Sequence, residues 1–335
     1  MADPGKRTPT GSVAAAAAAL WWIIATASAA HAAERYAIDT PAPVSMLLNV
    51  GNSVFAVLRD GTTYRLRRCE ARVVCLAPAQ VSGLPPKAPH GGLPDGRIAS
   101  ASSGDIRQAW YGRPTTRYGH AVLGDGIEAG SLVARDAVGQ LHELVLPDTH
   151  VFEDITPRIA DLDGDGRNEI VTIRSSLKRG GAIAVYGLRD GVLELLDASA
   201  EIGRSRRWLN VAGIASYHGA GRPVVAWVET PHIGGTLKLA TFENGKLKRF
   251  GSNRSGFSNH FIGSREQQLS ATGDFTRDGR LDLALPGADR RSLVIVSTGA
   301  VTRTRLPGRV ATALSNVGGA IVTADDNGTL LAVIP

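Results

Sequence analysis

Short apolar runs alternate with Gly-rich polar turns along most of the chain. Residues 54–66 turn at Asp60-Gly61, and residues 182–196 turn at Asp190-Gly191. Residues 237–250 turn at Asn244-Gly245, and residues 320–334 turn at Asn327-Gly328. Asp-Gly or Asn-Gly between apolar runs supplies the φ > 0 residues of a tight hairpin, so each pair predicts two antiparallel strands. Weaker pairs lie at 98–110 about Ser103-Gly104, at 132–146 about Val138-Gly139, and at 292–305. Beyond the first 32 residues no stretch keeps a convincing helical period.

The strands recur in a larger pattern. In residues 158–174 and again in 271–285 an acidic turn runs into alternating apolar positions. A degenerate copy at 213–228 keeps Gly221-Arg222 and the strand but has Ser216, His218 and Ala220 in place of carboxylates. Gly166, Gly221 and Gly279 thus return with a period of about 55 residues. Each copy is followed by a second hairpin, which makes a unit of four antiparallel strands, one blade of a β-propeller. Counting the weaker hairpins gives an all-β propeller of about seven blades, with six or eight within range. The terminal segments 48–52 and 314–319 are alike, as expected if the terminal strands close the ring and leave no exposed edge. A two-sheet sandwich is the alternative, but its strands would not be expected to repeat in this way.

The acidic turns carry candidate chemistry. Asp161, Asp163 and Asp165 stand at positions 1, 3 and 5 of a short loop, with Gly166 at 6, Arg167 at 7 and Glu169 at 9. Alternate carboxylates on a curved backbone converge on one point, and Ca2+ takes six to eight oxygens. The Arg167 carbonyl is the expected position-7 donor, and no His or Cys is present to favour zinc. Position 12 is Thr172, inside an apolar run, where an EF-hand needs a bidentate Glu and a helix. The second loop places Asp274, Thr276, Asp278, the Arg280 carbonyl and Asp282 at the same positions, and a weaker site is expected there. The copy at Ser216-His218-Ala220 is expected to hold no ion.

The residues from Asp161 to Glu169 and from Asp274 to Asp282 resemble the FG-GAP and VCBS repeats of the integrin α-chain propeller and of exported bacterial proteins. The resemblance implies a seven-bladed propeller with calcium in loops between blade strands.

Residues 1–32 predict a signal peptide: Lys6 and Arg7, an apolar run at 13–25, and Ala30-His31-Ala32 as the cleavage site. The run is shorter than the roughly 20 apolar residues of a membrane span. A single propeller domain over 33–335, periplasmic or secreted and monomeric, is expected, with calcium-loop blades at about 155–197 and 268–305. Cys69 and Cys75, the only cysteines, flank a short loop near Arg72, and export favours a disulfide between them. The formal charge of +6 is spread over scattered arginines with no basic stripe, so nucleic acid is not an expected partner.

The expected function is a non-enzymatic binding scaffold with a protein or glycan ligand. The rival is a carbohydrate-active lyase or hydrolase, which needs two carboxylates across a cleft. Glu128, Asp136, Glu143, Glu153 and Glu229 are candidates, yet no spacing singles out a pair. The histidines at 120, 142, 150, 218, 232 and 260 are dispersed and read as turn or surface residues. Trp110 and Tyr111 are the aromatic pair expected at the surface, and Trp227 is expected in the core.

Overall fold

The computed structural model describes residues 1–2, 33–70 and 73–335. The expected signal peptide and the turn at Arg72 lie outside the described residues. Residues 33–335 form one compact unit, and every regular element in it is a strand.

After the opening strand β1 (Glu34–Ile38) come β2 (Val44–Val50), β3 (Ser53–Leu58), β4 (Thr63–Glu70) and β5 (Val73–Pro78), paired in sequence order. The next four are β6 (Ala99–Ser100), β7 (Ile106–Thr115), β8 (Glu128–Asp136) and β9 (Leu141–Val145). A short strand, β10 (His150–Phe152), leads to β11 (Arg158–Ala160), β12 (Glu169–Ser176), β13 (Gly180–Arg189) and β14 (Val192–Ala198). Then follow β15 (Leu209–Ala215), β16 (Val224–Glu229), β17 (Thr236–Glu243) and β18 (Lys246–Arg249), with β19 (Arg254–Ser255) beside β17. The last strands are β20 (Ala271–Gly273), β21 (Asp282–Pro286), β22 (Ser292–Ser297) and β23 (Ala300–Arg305), then β24 (Ser315–Val317), β25 (Ala320–Ala324) and β26 (Leu330–Ile334).

β1 completes the last group by pairing antiparallel with β26, Glu34 opposite Ile334. The described strands therefore form six four-stranded antiparallel units, at the lower end of the expected range. Two of them are fused into a nine-stranded sheet because β10 pairs with β12 and touches β8 at Phe152–Ala129. The hairpin signals were sound: Val54 pairs with Leu66, and Leu132 with Leu144.

The core explains the apolar runs. In β12 and β13, Ile170, Ala184 and Tyr186 join a cluster with Ile106 and Leu132 of the preceding unit. Their neighbours Val171, Ile173, Ile183 and Val185 point the other way, to Val211, Val225 and Trp227 of the following unit. Successive side chains on a strand face opposite sides, so a strand with a neighbour on each face is apolar at every position. The same alternation links the β16 unit to Leu283 and Val296, and Ile295 to Ile321 and Val333. The closing unit meets β2–β5 through Val322, Ala332, Leu47 and Leu66. The outer strand β23 is by contrast mostly exposed, with Arg303 and Arg305 in it.

The innermost strands β2, β11 and β15 and the segment before β20 surround one cavity of about 630 Å³. Across it, Asn49 donates to Gln268 at 3.0 Å. Units stacked in order, terminal strands paired and a central cavity make this a β-propeller. Cys69 and Cys75 are bonded, at a bulge between β4 and β5.

Candidate metal centre in the blade loops

Both acidic loops join the first strand of a unit to its second: residues 161–168 connect β11 to β12, and residues 274–281 connect β20 to β21. Gly166, Gly221 and Gly279 have φ of +87°, +73° and +80°, a left-handed conformation that costs glycine nothing and strains other residues. The three loops therefore turn at the same point, including the copy that lost its carboxylates.

In the first loop Asp161 works as a backbone clamp. Its Oδ1 accepts from the Gly164 N–H at 2.7 Å and its Oδ2 from the Gly166 N–H at 2.9 Å. Glu169 is fully buried at the head of β12, and its Oε2 accepts from the Leu162 N–H at 3.0 Å. Its Oε1 is buried without a hydrogen bond; the nearest cation, Arg189 Nη2, stands 3.5 Å away. Burial, then the charges of Asp163 and Asp165, push the Glu169 carboxyl up to about 7. Asp161, Asp163 and Glu169 bring one carboxylate oxygen each within 4.8 Å of the others. Asp165 stands outside this group, and its Oδ1 accepts from the Arg167 N–H at 2.8 Å.

The second loop repeats the scheme. Asp274 accepts from the N–H groups of Asp278 and Gly279, both at 3.0 Å. Asp282 is fully buried, and its Oδ2 accepts from Phe275 N–H and Thr276 N–H at 2.9 Å and from the Thr276 hydroxyl at 3.0 Å. Its Oδ1 is buried with no partner. The Arg280 N–H is held by Asp278 at 2.9 Å. Asp274, Asp278 and Asp282 are not gathered as closely as the first three carboxylates.

A buried carboxylate oxygen with no donor costs free energy, and three converging carboxylates repel one another. A cation answers both. The donors are all oxygen, so the fit is to a hard ion such as Ca2+, with Asp161, Asp163 and Glu169 as holders.

Each loop leans on the unit before it. Asp105, in the turn between β6 and β7, accepts from the Asn168 N–H at 2.7 Å and from Arg167 Nε at 3.2 Å. Asn168 Nδ2 donates to the carbonyls of Ser103 and Ile106. Likewise the copy that lacks carboxylates braces the second loop, with Tyr217 bridging Leu281 and the His218 N–H donating to the Leu281 carbonyl at 3.1 Å. No motif marked Asp105, because its partner lies 63 residues away.

Other expectations are corrected. Trp110 and Tyr111 are buried, the latter against Phe152 with its hydroxyl donating to Asp154 at 2.8 Å. Their strand β7 has a unit on each face, which the neighbouring Gly-Arg-Pro obscured. Trp227 is in the core as expected. The histidines are not simply surface residues: His142 and His260 are buried. His120, His232 and Trp208 meet around one hollow.

The carboxylates weighed for sugar chemistry are already engaged. Asp136 pairs with His142, Glu143 with Arg113 and Glu229 with Lys238. Glu128 and Glu153 share a recess of only about 10 Å³. Glu128 accepts from the N–H groups of Gly119 and His120, and Glu153 binds His120 and Ser175.

No protein-family model matches the chain, and no curated protein matches it in sequence. Among solved structures it is similar to BamB from Moraxella catarrhalis, with 12% identity and a TM-score of 0.37 over 86% of this chain and 71% of that one. It is similar to rhamnogalacturonan lyase PL11 from Bacillus licheniformis, with 14% identity and a TM-score of 0.43. That match covers 85% of this chain but 65% of the lyase, so the chain spans less than two thirds of the lyase's length. The WD40 β-propeller domain of Doa1 matches over 90% of this chain and 95% of that domain, with 12% identity and a TM-score of 0.30.

Proposed function

We propose that this chain is an exported, calcium-binding β-propeller of the FG-GAP/VCBS kind, acting as a non-enzymatic scaffold for a protein or glycan outside the cytoplasm. Calcium fixes the loops between the first and second strands, and the ring presents its opposite face to the ligand. The observation that carries this reading is the lining of the central cavity. Its wall includes Arg97, Arg158 and Arg265 but a single carboxylate, Glu266, and no aromatic side chain. Sugar hydrolysis by the usual route needs two carboxylates about 5–9.5 Å apart with room for a sugar between them. The buried carboxylates Glu128, Glu153 and Asp154 face a recess too small for that.

The test is a pulldown from periplasmic and culture extracts, with glycan-array binding, in calcium and in chelator. Calcium-dependent capture with no depolymerisation of bound glycan is expected. Turnover of a polysaccharide would overturn the scaffold reading in favour of a carbohydrate-active enzyme.

A further inference from the structure

The rim opposite the acidic loops carries a positive hollow. Alternate connections of an antiparallel unit lie at opposite ends, so β7–β8, β14–β15, β16–β17 and β19–β20 share a rim away from residues 161–168. Among them lies a hollow of about 130 Å³, with Arg206, Arg207, His232 and Thr230 in its wall and no Asp or Glu. Arg207 Nη1 donates to the Arg206 carbonyl at 3.4 Å. Neither guanidinium is paired with a carboxylate among the described residues. The buried acid behind the wall, Glu153, is 2% exposed and engaged by His120 and Ser175, each at 2.5 Å.

The wall is built under backbone strain. Arg206 and Thr230 have φ of +55° and +49°, unusual for any side chain and most of all for a β-branched one. Hydrogen bonds hold them there: the Arg206 N–H donates to the Tyr118 hydroxyl at 2.7 Å, and the Thr230 N–H to the Trp208 carbonyl at 2.9 Å. Such conformations gather at ligand clamps.

One imidazole in the wall has a fixed tautomer. His260 Nε2 stands 2.9 Å from the Ser264 carbonyl, which can only accept, so this nitrogen carries the proton. His260 Nδ1 is then the acceptor, and His232 Nε2, 2.8 Å away, donates to it. His232 is left with a lone pair on Nδ1, and burial keeps the ring neutral down to about 4. Nδ1 makes no hydrogen bond and is not among the buried polar atoms left without a partner, so it meets solvent as an acceptor.

The mouth of the hollow is apolar. Ile233 and Ile262 line it and are 61% and 70% exposed. Trp208 is buried, with His232 stacked on it at 6.1 Å, so the hollow opens no aromatic face on which a sugar ring could stack.

We infer, on the scaffold reading above, that this hollow binds an acidic peptide segment of a partner protein. Its carboxylate side chain meets Arg206 and Arg207, whose planar guanidinium groups match a carboxylate. A peptide N–H donates to His232 Nδ1, and a neighbouring aliphatic side chain packs on Ile233 and Ile262. Complementary charge selects the acid, and the apolar mouth favours a peptide over an acidic glycan.

The test probes the untagged mature chain with an array of acetylated, amidated hexapeptides that pair Asp or Glu with Leu, Ile or Val. Matched peptides with Asn or Gln, and polygalacturonate as an acidic glycan, complete the set, and hits are titrated by fluorescence anisotropy. The acidic peptides should bind, with their amide counterparts at least about tenfold weaker. The Arg206→Gln, Arg207→Gln double variant should lose affinity by at least about tenfold. Arg204→Gln, exposed in the same connection but outside the hollow, should bind as the wild type does. A wild type that captures no acidic peptide, binds the amide peptides equally or prefers polygalacturonate would overturn the proposal. So would a double variant, folded by circular dichroism, with undiminished affinity. The wild-type comparison needs no variant, so a substitution that fails to fold does not rescue the idea. Depolymerisation of polygalacturonate is a separate failure, that of the scaffold reading.

Discussion

Asp105 Oδ1 accepts a hydrogen bond from the Asn168 backbone N–H at 2.7 Å, and the two residues belong to different four-stranded units. The contact adds a brace from the neighbouring unit to an acidic loop that Asp161 and Glu169 already clamp from within. The second loop is braced similarly, with Tyr217 and His218 on Leu281.

Asp105→Ala should therefore destabilise the chain by about 2 kcal/mol, the range for a hydrogen bond to a charged group. It should also weaken calcium binding although Asp105 touches no candidate ligand oxygen. Gly104→Ala should be worse, because its φ is +86° and an added Cβ would lie 2.2 Å from Asn168 Nδ2. Urea denaturation with and without calcium checks both; a wild-type midpoint for Asp105→Ala would remove the cross-unit brace.

Glu169→Gln separates the two sides of the acidic loop. Without an ion, the substitution removes one of three repelling carboxylates, so in chelator the variant should melt at or above the wild-type temperature. In calcium the order should reverse, because the wild type gains the ion and the variant does not. Differential scanning calorimetry in both buffers reads the crossing.

Tyr111→Phe should cost about 2 kcal/mol by stripping a hydrogen bond from the buried Asp154 carboxylate, which then keeps Arg158 and Gln267. Glycan binding, if present, should not change, since Tyr111 is fully buried. A loss of binding without loss of stability would contradict its place in the core.

Acid should destabilise the fold through the histidine chain. Burial holds His232 down to about 4 and His260 to about 3, against 6.5 for a free imidazole. The unfolded chain binds these protons more readily, so stability present above pH 6.5 is lost as pH falls through the window down to those values. Glu169, raised to about 7, and Glu266, raised to about 6, both by burial, act in the opposite sense, so the histidine contribution is read from the difference between variant and wild type. His260→Gln should accordingly flatten the fall in urea midpoint between pH 6.5 and 4; an unchanged slope would count against the buried neutral pair.

Much of the fold was legible in turn chemistry. Asp60-Gly61 and Asn244-Gly245 mark hairpins because few other residues adopt their backbone angles, and that constraint is local. The acidic loops were legible for the same reason, down to the equivalence of Gly166, Gly221 and Gly279. What escaped depends on distant partners. β10 is three residues long and exists by bridging two units. Trp110 and Tyr111 sit beside a Gly-Arg-Pro segment that suggested a strand end, yet β7 runs on to Thr115. His232 and His260 acquire their chain only when two loops fold onto Trp208.

The central claim, that residues 161–169 hold a calcium ion that stiffens a propeller, is tested most directly by thermal melting of the mature chain across a calcium titration. The wild type should rise in melting temperature with calcium and return to its starting value in chelator. The Asp163→Ala, Asp165→Ala double variant should lose most of that rise, retaining at most what the weaker loop at Asp274–Asp282 supplies. A calcium response in the double variant equal to that of the wild type would contradict the assignment.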